Sequence, residues 1–264
     1  MIEPRTRTAD LFTPAPGAAP VHRMVAAQAG MELRIMLRNG EQLLLTMVIP
    51  LLLLVGFSAT PVLDLGPGPR VGFLAPGVLA LAVLSTAFTG QAIGTGFERR
   101  YGVLKRLGAT PLPRGGLLAA KTLAVLGVQS VQFALICATA AALGWRPHLG
   151  AASALYALLL VLLATACFSA LALLMAGTLR AEATLAAANL VYVVLLGLGG
   201  VVFPADRLPE VLRPVTEALP ITALTSGLRT VLAEGAAPPL WPVAVLAAWA
   251  AIAALLASRF FRWE

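Results

Sequence analysis

The sequence predicts an all-α integral membrane protein with six transmembrane helices, and three observations carry that prediction. The 264-residue chain is 59% hydrophobic and only 12% charged. Its mean hydropathy of +0.88 is far above what a water-facing surface allows. Six runs, 42–60, 71–96, 122–145, 151–178, 184–203 and 240–258, contain no Asp, Glu, Lys, Arg or His, and each is near the ~20 residues a helix needs to cross ~30 Å of hydrocarbon. Each run is also continuously apolar instead of alternating every second residue, which selects helices over barrel strands.

Along the chain, residues 1–20, with Pro4, Pro14, Pro16 and Pro20 among Thr and Ala, read as a disordered tail. No short apolar run with a small-residue cleavage site is present there, so no signal peptide is expected. Residues 21–41 form an amphipathic interfacial helix: Arg23, Ala27, Arg34, Arg38 and Glu41 share one face, Met24, Met31 and Ile35 another. Residues 42–258 form the six-helix membrane domain, in which bundle packing tolerates Pro50 and Pro76. Between spans two and three, FERRYGVLKRLGATPLPRGGLLAAK (97–121) holds six of the nineteen Lys and Arg and a single acid, Glu98. Tyr101, Leu104 and Gly108 lie on one helical face and Arg99 and Arg106 on another, until Thr110-Pro111-Leu112-Pro113 stops the helix. Between spans five and six, 197–232 is long and half apolar. Val211, Leu212, Val215 and Leu219 fit one face of short helices that dip into the outer leaflet. Residues 259–264 read as a short cytoplasmic C-terminus. Cys137 and Cys167 fall inside spans and pack as small hydrophobes, with no disulfide or metal site expected.

Six spans put both termini on one side. Segments on that side, 97–121 included, hold 14 Lys and Arg, and those on the other side hold 5. Cations near span ends stay cytoplasmic, so both termini and 97–121 are expected in the cytoplasm. The net charge of +7 then reports topology and requires no nucleic-acid partner. Two readings of 97–121 stand. It is basic merely because it is inside, or an interfacial helix presents its cations to a docking partner. Its length and its own helical pattern exceed an ordinary connection and favour docking.

Glu98, the pair Arg99-Arg100, Gly102, Leu104, Leu107, Pro111 and Lys121 follow an order that resembles the loop of type-2 ABC exporter permeases, the family of daunorubicin-type drug exporters and polysaccharide exporters. Val103 departs from that pattern, in which Thr commonly follows the Gly. The stretch 197–232, punctuated by Phe203-Pro204, Leu208-Pro209 and Pro220-Ile221-Thr222, is similar to the family's paired outer helices, and 21–41 to its elbow helix. The resemblance covers about residues 21–258. It implies that 97–121 holds the coupling helix, seated in a cleft of an ATPase subunit, with Glu98, Arg99, Arg100, Tyr101, Leu104, Lys105 and Arg106 as coupling residues. It further implies two ABC ATPase subunits, a second permease copy or a homologous permease, and transport in the direction of export.

The chemistry missing from the sequence points the same way. Ion-coupled carriers place ionisable groups inside the membrane, and no span here contains one. No G-x-x-x-x-G-K-[ST] phosphate loop is present, and GLGG at 197–200 lacks the Lys. The nucleotide site is therefore expected in a partner chain, which binds ATP and Mg. His22 and His148 fall on opposite sides of the membrane and no acid pair or activated nucleophile assembles, so the chain reads as non-catalytic with no cofactor of its own. A substrate path has to use neutral polar groups: Thr86, Thr89 and Gln91 on span two, Gln129 and Gln132 beside Ser130 on span three, Asn189 and Tyr192 on span five. Hydrogen bonding between helices explains such residues as readily as substrate contact does, and Gly90 and Gly94 make a close-packing motif. So apolar a lining suits a hydrophobic or amphipathic cargo, drug-like or lipid-like. The Ala, Gly, Pro and Arg bias, with only two Lys, points to a high-GC bacterial coding sequence, so the expected location is a bacterial plasma membrane. A non-transporting scaffold subunit and an ATP-independent carrier remain the alternatives.

Overall fold

The computed structural model describes residues 17–60, 69–201 and 213–260, and all regular structure among them is helical. The expectations placed on 1–16, on Phe203-Pro204, Leu208-Pro209, Val211 and Leu212, and on 261–264 lie outside the described residues.

Helix α1 (Val21–Arg38) covers the segment expected to be an interfacial helix, and its sidedness inverts that of a soluble protein. Its buried residues are polar, Gln28 and Glu32, whereas Met31 and Ile35 are exposed. Such a face belongs against hydrocarbon, and the polar face turns toward protein partners. After Asn39 the chain enters α2 (Gly40–Ala59), and beyond it five helices among the described residues are long and apolar enough to cross a membrane. The first of those five is built from three pieces: α3 (Arg70–Val83), a π-helical segment Leu84–Gly90 and α4 (Gln91–Arg100) run as one helix, Arg70–Arg100. A short α5 (Val103–Gly108) precedes α6 (Arg114–Ala142), α7 (Ala151–Thr178) and α8 (Ala181–Leu198). Then come α9 (Arg213–Glu217), α10 (Pro220–Leu232) and α11 (Trp241–Phe260).

The composite helix is the axis of the fold. In its most apolar stretch 89% of residues are buried, against 17% in α8 and in α11. It is wrapped by α2, α6, α7, α8 and α10, while α1 lies along α6 and α11 along α7. Phe88 of the π segment and Phe168 of α7 meet edge to face at its centre, with ring centroids 6.4 Å apart.

Within 197–232, the segment expected to form short helices that dip into the outer leaflet, α10 is buried in the bundle. Ile221, Ala223 and Leu224 are fully buried, and α10 packs on α3, α7 and α11. Two of its hydroxyls cost little to bury, because Thr225 donates to the Ile221 carbonyl and Ser226 to that of Ala223, whereas the buried Thr222 hydroxyl has no partner. Arg229 clamps this helix in place. Its Nε donates to the Phe73 carbonyl (3.2 Å), its Nη2 to the Val201 carbonyl (2.9 Å), and the guanidinium lies 3.5 Å over the Phe73 ring.

Gly77 is required where these parts converge: a Cβ there would stand 2.4 Å from the Val201 carbonyl oxygen. Gly77→Ala is therefore expected to lower stability by about 1–3 kcal/mol, read as a fall in the thermal midpoint of the detergent-solubilised protein. Gly56→Ala is the control, because a Cβ at Gly56 meets nothing within 4 Å, and it should leave the midpoint unchanged or raise it.

Candidate functional site

The basic segment does not continue α4 as one helix. Gly102 takes φ +71°, a left-handed conformation that ends α4 and restarts the chain as α5. Each expected coupling residue thereby acquires its own setting. Arg99 turns back on the bundle, its Nη1 donating to the carbonyls of Ala176 (2.9 Å) and Leu179 (3.1 Å), which caps the end of α7. Arg100 pairs with Glu182 at the start of α8, an exposed contact of small energetic weight. Leu104 is fully buried among Leu112, Leu117 and Leu173, with Met24 and Val25 of α1 against the cluster. Tyr101, Lys105 and Arg106 are exposed. The inner side of α5 is thus an apolar peg and its outer side is cationic.

Behind α5 sits a buried ionic cluster. Lys121, near the start of α6, places its Nζ 2.7 Å from Glu98 Oε2 and 3.0 Å from Glu32 Oε1. Gln28 supplies a further donor to Glu32 at 2.8 Å. The side chains of Lys121 and Glu32 are 5% and 8% exposed, so water screens these charges little and each depends on the others. The cluster joins α1, α4 and α6 at one point. The sequence had Glu98 as a coupling residue and Lys121 as a member of the same loop motif, without pairing them, and did not single out Glu32. The available signals were the i, i+4 pair Gln28 and Glu32, and a Lys at the mouth of a span in a chain with only two Lys.

The polar residues named as a path divide into two groups. Five stand inside the subunit. Thr86 donates to Gln132 (2.9 Å), and Gln132 donates to the Thr46 carbonyl (2.6 Å). Gln129 accepts from Thr165, and Gln91 from Ser169, each at 2.9 Å. Thr89 is half-buried near them, its hydroxyl without a partner. Together with Thr165 and Ser169 on α7 they form a seam of bonds that ties α2, the π segment, α4, α6 and α7 together. Asn189, exposed, and Tyr192, half-buried, stand apart on the sparsely covered α8.

The described residues thus form an all-helical bundle with five helices long and apolar enough to cross a membrane, polar contacts directed between helices and a small cationic helix at one end. The chain belongs to the ABC-2 type transporter family, which it matches over residues 29–233. It is a type-2 ABC permease, a transmembrane transport component, and that family implies association with an ABC ATPase. No curated protein matches the chain.

The ionic cluster yields a test of its own. Lys121→Met leaves two carboxylates buried without a counterion and is expected to cost about 3–5 kcal/mol. Adding Glu32→Gln and Glu98→Gln to that variant removes the unpaired charges and should restore most of the lost stability. Denaturation midpoints of the single and triple variants, compared with wild type, decide it.

Proposed function

We propose that this chain is the permease subunit of an ATP-driven exporter in a bacterial plasma membrane, with six spans, both termini in the cytoplasm and α2 as the first crossing. Two such subunits, or one and a homologue, enclose the path, and two ATPase subunits beneath them bind ATP and Mg. The cargo is hydrophobic or amphipathic. The observation that carries this reading is α5: a helix locked to the bundle by Leu104 on one side and presenting Lys105 and Arg106 on the other. A purely topological cluster of cations has no need of such an anchor. In this reading α1 is the elbow helix and α5 the coupling helix.

The docking surface narrows to Tyr101, Lys105 and Arg106, with Arg99, Arg100 and Leu104 holding it in place and Glu98 anchoring its base through Lys121. Asn189 and Tyr192 are the path residues, on the face of α8 that a second copy covers. The buried seam opens to the path only if the helices part.

Replacing Lys105 and Arg106 together by Glu is expected to reduce ATPase co-purification at least tenfold while membrane insertion and thermal midpoint stay at wild-type values. An ATPase retained in full by that variant would refute docking through α5. Transport by vesicles free of ATP would favour the carrier instead, and an ATPase bound without any cargo-dependent hydrolysis would favour the scaffold.

A further inference from the structure

At the end of the bundle away from α5, the last turns of α6 and the first turns of α7 flank an open groove of about 430 Å³. Its floor is buried and includes Leu79 of α3, Trp145 of the connecting loop and Leu228 of α10. Its open side is formed by exposed residues, among them Cys137 on α6 and Ala154 and Leu158 on α7. Among the described residues that line it none is charged.

Its length and the charge at its mouth say what fills it. Val161, at the deep end, lies ten residues beyond Ala151, ~15 Å along α7. Phe133 reaches nearly the same depth from the end of α6. Half of the ~30 Å hydrocarbon layer is ~15 Å, so the groove runs the depth of one leaflet. The loop 143–150 stands over its mouth. Gly144, at φ +90°, turns the chain out of α6, and the Trp145 N–H then donates to the Ala140 carbonyl (2.9 Å) and the His148 N–H to the Leu232 carbonyl (3.0 Å). Arg146 is held between these two anchors, next to Trp145 and Pro147, which both line the groove. It is exposed, the loop contains no Asp or Glu, and among the described residues it has no ion-pair or hydrogen-bond partner.

We propose that this groove binds one glycerophospholipid with an anionic headgroup, taken from the leaflet on the side of the α6–α7 loop. One acyl chain lies along the groove, and the headgroup phosphate meets Arg146, whose planar fork suits phosphate oxygens. Trp145 stands between the two, at the level where aromatic rings favour the membrane interface. The volume falls within the ~300–1,000 Å³ of ligand sites and the lining is as apolar as a lipid tail. Complementarity at both ends of the molecule, apolar chain to groove and phosphate to cation, separates this site from the plain apolar faces of α8 and α11. Such binding belongs to the single chain and stands or falls separately from ATP-driven export.

The test places the full-length chain in nanodiscs of phosphatidylcholine with a trace of phosphatidylglycerol that carries a diazirine at the end of one acyl chain, followed by irradiation and peptide mass spectrometry. Cross-links are expected at Phe133 and Val161, the deep end of the groove, in clear excess over the exposed faces of α8 and α11. A phosphatidylcholine with the same diazirine should label these two positions about fivefold less, the weight of one Arg beside an anionic lipid. Arg146→Gln changes an exposed loop residue, so it should keep the wild-type thermal midpoint and bring labelling by phosphatidylglycerol down to that by phosphatidylcholine. Ala154→Phe narrows the open side without altering any charge and should lower labelling by both probes. If Ala154→Phe does not fold, Arg146→Gln and the comparison of headgroups decide the matter. Equal labelling by the two headgroups, labelling spread evenly over the groove, α8 and α11, or wild-type labelling of Arg146→Gln would overturn the inference.

Discussion

A polar atom held away from water must find its partner inside the protein, and that constraint fixes the geometry of this permease more than its apolar surface does. Packing of Leu, Ala and Val on helix faces is permissive when the solvent is itself hydrocarbon, because lipid tails serve as neighbours nearly as well. Polar contacts are not interchangeable in this way. Lys121 between Glu98 and Glu32, Arg229 on the Phe73 and Val201 carbonyls, Arg99 on the end of α7, and the Gln132, Gln129 and Gln91 bonds each join elements distant in sequence. Between them they reach α1, α2, α3, the π segment, α4, α6, α7 and α10. α8 and α11, joined to the rest by the exposed Arg100–Glu182 pair and by Trp249 on the Ala218 carbonyl, are the least covered of the membrane-crossing helices.

The same contrast explains what was legible in the sequence. Membrane crossing imposes a length and forbids charge, two properties that a linear reading sees directly, and α7 spans the same residues, 151–178, as the charge-free run. The short cationic helix was legible too, although Gly102 breaks it where periodicity alone ran it on. Partnerships were not legible. Glu32 looked like one more polar residue on a surface helix, and nothing local marks its pairing with Lys121 across five intervening helical segments. Gln129 and Gln132 suit a substrate path and a helix contact equally well until the positions of Thr86 and Thr165 are known.

These contacts determine how a push on α5 is distributed. A short helix tied only to its two neighbours in sequence would pass a push to α4 and α6 alone. Here Leu104 sits among residues of α1, α6 and α7, Arg99 holds α7, and Lys121 holds α1. Displacing α5 while these bonds stay intact therefore carries the near ends of α1, α4, α6 and α7 together. Close-packed interiors shift between discrete arrangements instead of stretching. Along the axial helix the π segment, Leu84–Gly90, lies directly beyond α4 and has the less regular hydrogen bonding of a π insertion. Thr86 within it and Gln91 just after it are each held by a single side-chain bond, to Gln132 and to Ser169. The far half, α3 with Phe73 under Arg229 and Gly77 against Val201, has contacts of its own. The two halves of the axial helix are thus held by separate sets of contacts on either side of the π segment.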